Sequence, residues 1–215
     1  MPNHYMVNEI FYSIQGEGQW VGQPMAFVRF SGCNLNCNFC DTDHRKATRM
    51  TAVQILQAVH DCLPPTISHE VFYKVPICLT GGEPTLQVDQ NLLWTLNDHP
   101  LHMETNGTEE IDNWSMFRCI TFSPKRSEVP LKIREMLMCG DGARWELKVV
   151  CDPASIEFQP IIQETWGRLR FSRKYLQPMA GPYGGHWSEE WARSFIADNP
   201  DWGLSVQLHK ILKIR

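Results

Sequence analysis

The chain has 215 residues, 43% hydrophobic and 20% charged, with 20 Lys and Arg against 24 Asp and Glu for a net charge of −4. That composition suits one globular domain, residues 1–215, and argues against a basic groove for direct nucleic-acid binding. No basic-then-apolar leader opens the sequence, and no apolar run approaches the roughly 18 residues that span a bilayer, so a cytoplasmic protein with no membrane partner is expected.

In chain order, residues 1–24 read as extended and glycine-rich, with Gln15-Gly16-Glu17-Gly18 as a flexible turn. Residues 25–30 predict a buried strand that runs straight into a cysteine loop. Thr51 caps a helix that carries Ile55, Leu56, Val59 and Leu63 on one face and ends at Pro64-Pro65. Residues 75–80 form a short strand closed by Gly81-Gly82. A weaker helix over 88–96, strands over 101–105 and 118–122, and a helix from Pro130 follow. Residues 143–151 are a clear strand, with Trp145, Leu147 and Val149 alternating against Glu146, Lys148 and Val150. The pattern ends with a helix over 153–166, a strand over 170–176, a helix over 186–197 capped by Ser188, and a strand over 204–208. Strands alternating with helices predict an α/β fold, a mostly parallel sheet of about six strands with helices outside. In such folds the strand ends, where the glycine and polar signals cluster here, carry the site.

Of the eight cysteines, Cys62, Cys78, Cys119, Cys139 and Cys151 are scattered. Cys78, Cys119 and Cys151 fall in apolar strand text and read as buried, reduced thiols. Cys33, Cys37 and Cys40 cluster in one short loop. Thiolate sulfur is soft and suits zinc or an iron–sulfur cluster. A zinc site needs a fourth ligand, from Asp41, Asp43 or His44. A 4Fe–4S cube held by only three cysteines keeps one iron open to a small molecule. Gly32 lets the backbone turn beside a bulky group. The residue chemistry alone leaves both readings open.

Cys33-x3-Cys37-x-Phe39-Cys40 following a strand resembles the signature of the radical S-adenosylmethionine (SAM) enzymes, and Thr80-Gly81-Gly82-Glu83-Pro84 resembles their glycine-rich strand end. The resemblance implies a partial, TIM-like (β/α)6 barrel with a reduced helix layer. It also implies a 4Fe–4S cluster on Cys33, Cys37 and Cys40, with SAM on the open iron. Further motifs resemble the 7-carboxy-7-deazaguanine synthases of queuosine biosynthesis. They are Ile14-Gln15-Gly16-Glu17-Gly18, Arg29, Asp41-Thr42 and Ser123-Pro124-Lys125, joined by Gln177-Pro178-Met179 and Gln207-Leu208-His209-Lys210. The similarity extends over nearly the whole chain.

That family resemblance implies a carbon–nitrogen lyase that contracts 6-carboxy-5,6,7,8-tetrahydropterin to 7-carboxy-7-deazaguanine and releases ammonia. It implies SAM contacts from Phe39, Cys40, Asp41, Gly82, Glu104 and Asn106, from Ser123, Pro124 and Lys125, and from Gln177, Pro178, Met179 and Ala180. Pterin contacts fall on Ile14, Gln15, Gly16, Arg29 and Thr80, and a Mg2+ ion on Thr42. The residue types agree: magnesium takes hard oxygen ligands and few from protein, and a guanidinium fork matches a carboxylate. Lys148 either faces the site or caps a helix. A flavodoxin or ferredoxin as electron donor and a homodimer are the implied partners. The competing readings are a glycyl-radical-enzyme activase and a non-enzymatic, zinc-stabilised binding module.

Overall fold

The computed structural model describes residues 3–40, 42–43, 46–139, 144–152, 155–179 and 185–214. The expected element starts at Ala143 and Pro153 therefore lie outside the described residues. The chain opens with a full strand rather than loose extended chain. Strand β1 (His4–Ile14) pairs antiparallel with β2 (Pro24–Phe30), Ile14 opposite Pro24 and Val7 opposite Phe30. A second strand absent from the sequence expectation, β3 (Thr48–Thr51), pairs antiparallel with the other edge of β1.

From β2 onward the pairing is parallel, through β4 (Ile77–Gly81), β5 (Leu101–Thr105), β6 (Phe117–Phe122), β7 (Trp145–Cys151), β8 (Arg173–Pro178) and β9 (Trp202–Leu204). Among the described residues these make one nine-stranded sheet, ordered β3-β1-β2-β4-β5-β6-β7-β8-β9. It is larger than the sheet of about six strands expected because β1 and β3 add to it, and its two edges, β3 and β9, are not hydrogen-bonded to each other.

Helices cover the outer face. Helix α1 (Ala52–Cys62) starts at the predicted cap as a reciprocal box: Gln54 N donates to Thr51 Oγ1 at 3.3 Å and Thr51 N donates to Gln54 Oε1 at 2.8 Å. Helices α2 (His69–Phe72), α3 (Gln90–Leu96), α4 (Leu131–Cys139), α5 (Phe158–Gln163), α6 (Gly185–Asp198) and α7 (Leu208–Leu212) follow. The β5–β6 crossover holds only the single 3-10 turn Trp114–Met116, so the helix layer is thin there. Two local expectations fail. Ser188 lies inside α6, fully buried, because the helix begins earlier at Gly185. The expected strand over 204–208 is the end of β9 followed by α7.

Both faces of the sheet are covered. Outward residues such as Val28, Leu79, Met103, Ile120, Leu147 and Leu176 join the helices in the main core, where each fully buried Leu, Ile or Phe contributes roughly 1.5–3 kcal/mol. The inner face begins with a small apolar cluster of Phe11, Met25, Phe27 and Cys78, with Trp20 against it. Above it the same face is polar yet buried, with Glu146 at 2% and Lys148 at 4% exposure. The alternation read in β7 is therefore real, but its polar side faces an interior rather than solvent.

His102 lies on this inner face, edge-on to Trp20 at 4.8 Å and 4% exposed. Burial, reinforced by the Arg118 charge, pushes its imidazole down from 6.5 to about 4. The unfolded chain then takes up a proton that the folded one refuses, so stability is lost as pH falls from 6.5 toward about 4, by up to about 3 kcal/mol. Urea midpoints measured at pH 7 and pH 4.5 are expected to fall less in His102→Gln than in the parent chain.

Candidate active site

The loop joining β1 and β2 is fixed, not flexible. Gln15 N donates to Gln23 O and Gly22 N to Gln15 O, both at 2.8 Å, closing its base. Its tip reaches across the inner face to the far strands. Gln19 N donates to Glu146 Oε2 at 3.1 Å, Gly18 N to Ser205 Oγ at 3.1 Å, and Leu208 N to Gly16 O at 2.9 Å. Gly18 has φ +65, and a Cβ there would lie 2.4 Å from Glu146 Oε1, so only glycine fits. The loop thus bridges the open side of the sheet.

At the opposite wall, β2 and β4 deliver the cysteine loop and the Thr80-Gly81-Gly82-Glu83-Pro84 segment side by side, with Arg29 in register with Thr80. Gly82 N donates to Phe30 O at 3.0 Å and Glu83 N to Gly32 O at 2.9 Å. The Glu83 side chain is fully buried. Its Oε1 accepts from Thr105 Oγ1 at 2.7 Å and from Thr85 Oγ1 at 2.6 Å, and its Oε2 accepts from Asn106 N at 2.7 Å. One residue, through its backbone and its carboxylate, therefore joins the ends of β2, β4 and β5. Asn106 Nδ2 in turn donates to Asn34 Oδ1 at 3.1 Å inside the cysteine loop.

Cys33, Cys37 and Cys40 line one cavity, and Cys40 N donates to Cys37 O at 3.1 Å in the turn between them. Burial pushes the Cys37 thiol up. Among the described residues no three His, Cys, Asp or Glu side chains gather around a single ion. The donor set is three soft sulfurs facing shared space, which fits a multi-iron cluster better than one zinc. Of the zinc reading's extra ligands, Asp41 and His44 lie outside the described residues, and Asp43 is not on the cavity wall among them.

The same cavity, about 1420 Å³ including its open mouth, holds most of the expected site residues. Ile14, Gln15, Gly16, Arg29, Thr42 and Thr80 all line it. Phe39, Gly82, Asn106, Ser123 and Lys125 stand with the thiols, and Gln177, Pro178 and Met179 close the end of β8. Pro124 faces a neighbouring cleft with Asn36 and Phe158 instead, while Asp41 and Ala180 lie outside the described residues.

Polar contacts organise this space. Arg29 Nε donates to Glu9 Oε1 at 3.0 Å, and its Nη1 to Thr42 Oγ1 at 3.3 Å. Glu104 accepts from Thr80 Oγ1 at 3.2 Å and from Gln15 Nε2 at 3.0 Å. Lys125 Nζ donates to Ser123 Oγ at 2.8 Å, and burial lowers this ammonium to about 8. Lys148 faces the cavity, which settles the alternative left open by sequence. Residues beyond the expected set also line it: Glu17, Lys148, Gln207, His209 and Lys210. His209 packs so closely on Gly16 that a Cβ there would lie 2.1 Å from Nδ1. The sequence signals for these were the polarity repeating within strand text at Lys148 and the Ile14-Gln15-Gly16-Glu17-Gly18 and Gln207-Leu208-His209-Lys210 motifs.

An open, mostly parallel sheet with a three-thiol loop at the end of β2 and a polar cavity over its strand ends has the architecture of a radical SAM enzyme. No family model matches the chain. It is 36% identical over 215 residues to 7-carboxy-7-deazaguanine synthase of Bacteroides thetaiotaomicron, covering 97% of this chain and 98% of that one. The same named protein of Bradyrhizobium diazoefficiens is 36% identical over 231 residues, covering 98% and 99%. In fold, the chain is similar to the crystal structure of QueE from Escherichia coli, with a TM-score of 0.72 at 22% identity over 96% of this chain and 95% of that one. The chain belongs to the 7-carboxy-7-deazaguanine synthase family.

Proposed function

We propose that the protein contracts 6-carboxy-5,6,7,8-tetrahydropterin to 7-carboxy-7-deazaguanine, expelling one ring nitrogen as ammonia. The observation that carries this is a single cavity lined by the three cysteine thiols together with Arg29, Thr80, Glu104 and Gln15. Cys33, Cys37 and Cys40 would hold a 4Fe–4S cluster. When bound, the cluster and SAM supply the carbon radical that takes hydrogen from the pterin.

The chain's own residues bind and orient. Arg29 carries the charge for the substrate carboxylate; Glu9 engages its Nε and leaves the Nη edge toward Thr42 and the cavity. The Thr42 hydroxyl is a hard oxygen suited to magnesium, which takes few protein ligands. Gln15, Gly16, Ile14 and Thr80 bound the ring. Glu104, expected beside SAM, is bonded to Thr80 and Gln15, which supports a place on the pterin side. Phe39, Cys40, Gly82, Asn106, Ser123, Pro124, Lys125, Gln177, Pro178 and Met179 remain for SAM, with Asp41 and Ala180 beside them in sequence. Among the described residues no helix is long and apolar enough to cross a membrane. A single-domain cytoplasmic homodimer, reduced by a flavodoxin or ferredoxin, completes the reading.

The test is anaerobic reconstitution followed by a product assay. The loaded, reduced protein is expected to form the deazaguanine acid from the carboxytetrahydropterin, SAM and magnesium. Arg29→Ala is expected to raise the pterin KM by about 10- to 100-fold, the loss of a charge-assisted contact, with SAM affinity little changed. SAM cleavage without deazaguanine product would point to a glycyl-radical activase. Bound zinc and no visible cluster absorption would leave only the binding module.

A further inference from the structure

Lys148 projects from the inner face of β7 with its side chain 5% exposed. Its ammonium is ion-paired with Glu17 from the β1–β2 loop and lies 3.9 Å from Glu104 Oε1 on β5. Burial alone would lower the lysine, but Glu104 and Glu17 outweigh it and hold it above its ordinary value. Burial likewise opposes ionisation of Glu17, and the Lys148 charge reverses that and draws the carboxyl down to about 2. The lysine therefore stays charged and is no proton acceptor.

Desolvating one cation between carboxylates from separate elements is expensive, and the apolar layer of Phe11, Met25, Phe27 and Cys78 beneath needs no such group. The loop above does. Glu17 Oε1 also accepts from Gln207 Nε2 at 2.8 Å, and Gln15, two residues earlier, is held by Glu104. Lys148 thus meets both carboxylates that fix residues 15–17 over the cavity.

We infer that Lys148 is the positioning residue of the pterin subsite, clamping residues 15–18 across the open side of the sheet and setting Gln15 and Glu104 toward the ring. This rests on the pterin reading above. It implies that the cost of losing Lys148 depends on Glu17, because a lone buried carboxylate is what the loss leaves behind.

The experiment uses full-length, cluster-loaded but unreduced protein with SAM, titrated anaerobically with the carboxytetrahydropterin by calorimetry. Lys148→Met is expected to weaken pterin binding at least about tenfold, and less than about threefold in a Glu17→Gln background, with SAM affinity unchanged. Hydrogen exchange of residues 13–23, without pterin, is expected to accelerate in Lys148→Met. If that variant does not fold, Lys148→Gln, which removes the charge but keeps a donor for Glu17, is measured in its place against the same outcomes. Unchanged affinity and exchange, or equal losses in both backgrounds, would overturn the clamp. If the parent protein binds no pterin, the functional reading fails, and exchange alone decides the clamp: faster supports it and unchanged rejects it.

Discussion

Cys37→Ala is expected to abolish deazaguanine formation, by at least about a thousandfold, because removing a cluster ligand removes the source of the radical rather than weakening one contact. The loop would be left with Cys33 and Cys40, and no other Cys, His, Asp or Glu group among the described residues completes the set. The fold is not expected to suffer. The Cys37 thiol is only half-buried, and the turn is held by its backbone, Cys40 N to Cys37 O. The check is twofold: visible absorption after anaerobic reconstitution, expected to be lost, and the urea midpoint of the apoprotein, expected to be unchanged. Retained turnover with a weakened cluster would show that the three thiols are not equivalent ligands.

Glu83→Ala is expected to do the reverse and damage the frame first. Thr105 Oγ1 and the Asn106 amide would lose a buried charged acceptor, together with both Thr85 donors. Hydrogen bonds to a buried charge are worth about 1.5–3 kcal/mol each, and stranded donors cost more, so a loss of about 3 kcal/mol or more in urea unfolding is expected. Glu83→Gln keeps the shape and one acceptor and should lose less. Because the same carboxylate holds Asn106 beside the thiols, SAM affinity should fall with stability in the Ala variant. Near-parental stability would mean the stranded donors find water.

Elements whose signals are local are the ones legible in the sequence. Helix α1 carries its own cap at Thr51 and its own apolar stripe, with Ile55 and Val59 fully buried. Strand β5 is bracketed by Pro100 and by Asn106-Gly107, and its ends fall where the text places them. Strand β1 is not legible, because its polar residues are satisfied by distant partners. Asn8 donates to the backbone of Asp43 and Lys46, and Glu9 accepts from Arg29. Ser188 has the chemistry of a cap, but the helix starts upstream and buries it.

The site divides the same way. Short motifs on one loop or strand end, such as Cys33-x3-Cys37-x2-Cys40 and Ser123-Pro124-Lys125, identify themselves by spacing, and all but Pro124 reach the cavity. Glu17, Lys148 and His209 are nearly two hundred residues apart at the extremes, and only folding brings them together. Alternating polarity in β7 ordinarily means water on one side. Here it means a second buried face, which no pattern of twos distinguishes.

The bridge from residues 16–18 to Ser205 and Leu208 has a consequence for synthesis. From β4 onward the sheet can pair as the chain emerges, each strand adding to the edge already formed. The first loop cannot settle until residues 205–208 have left the ribosome, so the pocket matures after the strands that frame it. A nascent chain would carry its three thiols long before it owned a chamber to shield them. A cluster that entered only after this loop had closed would be shielded from the start.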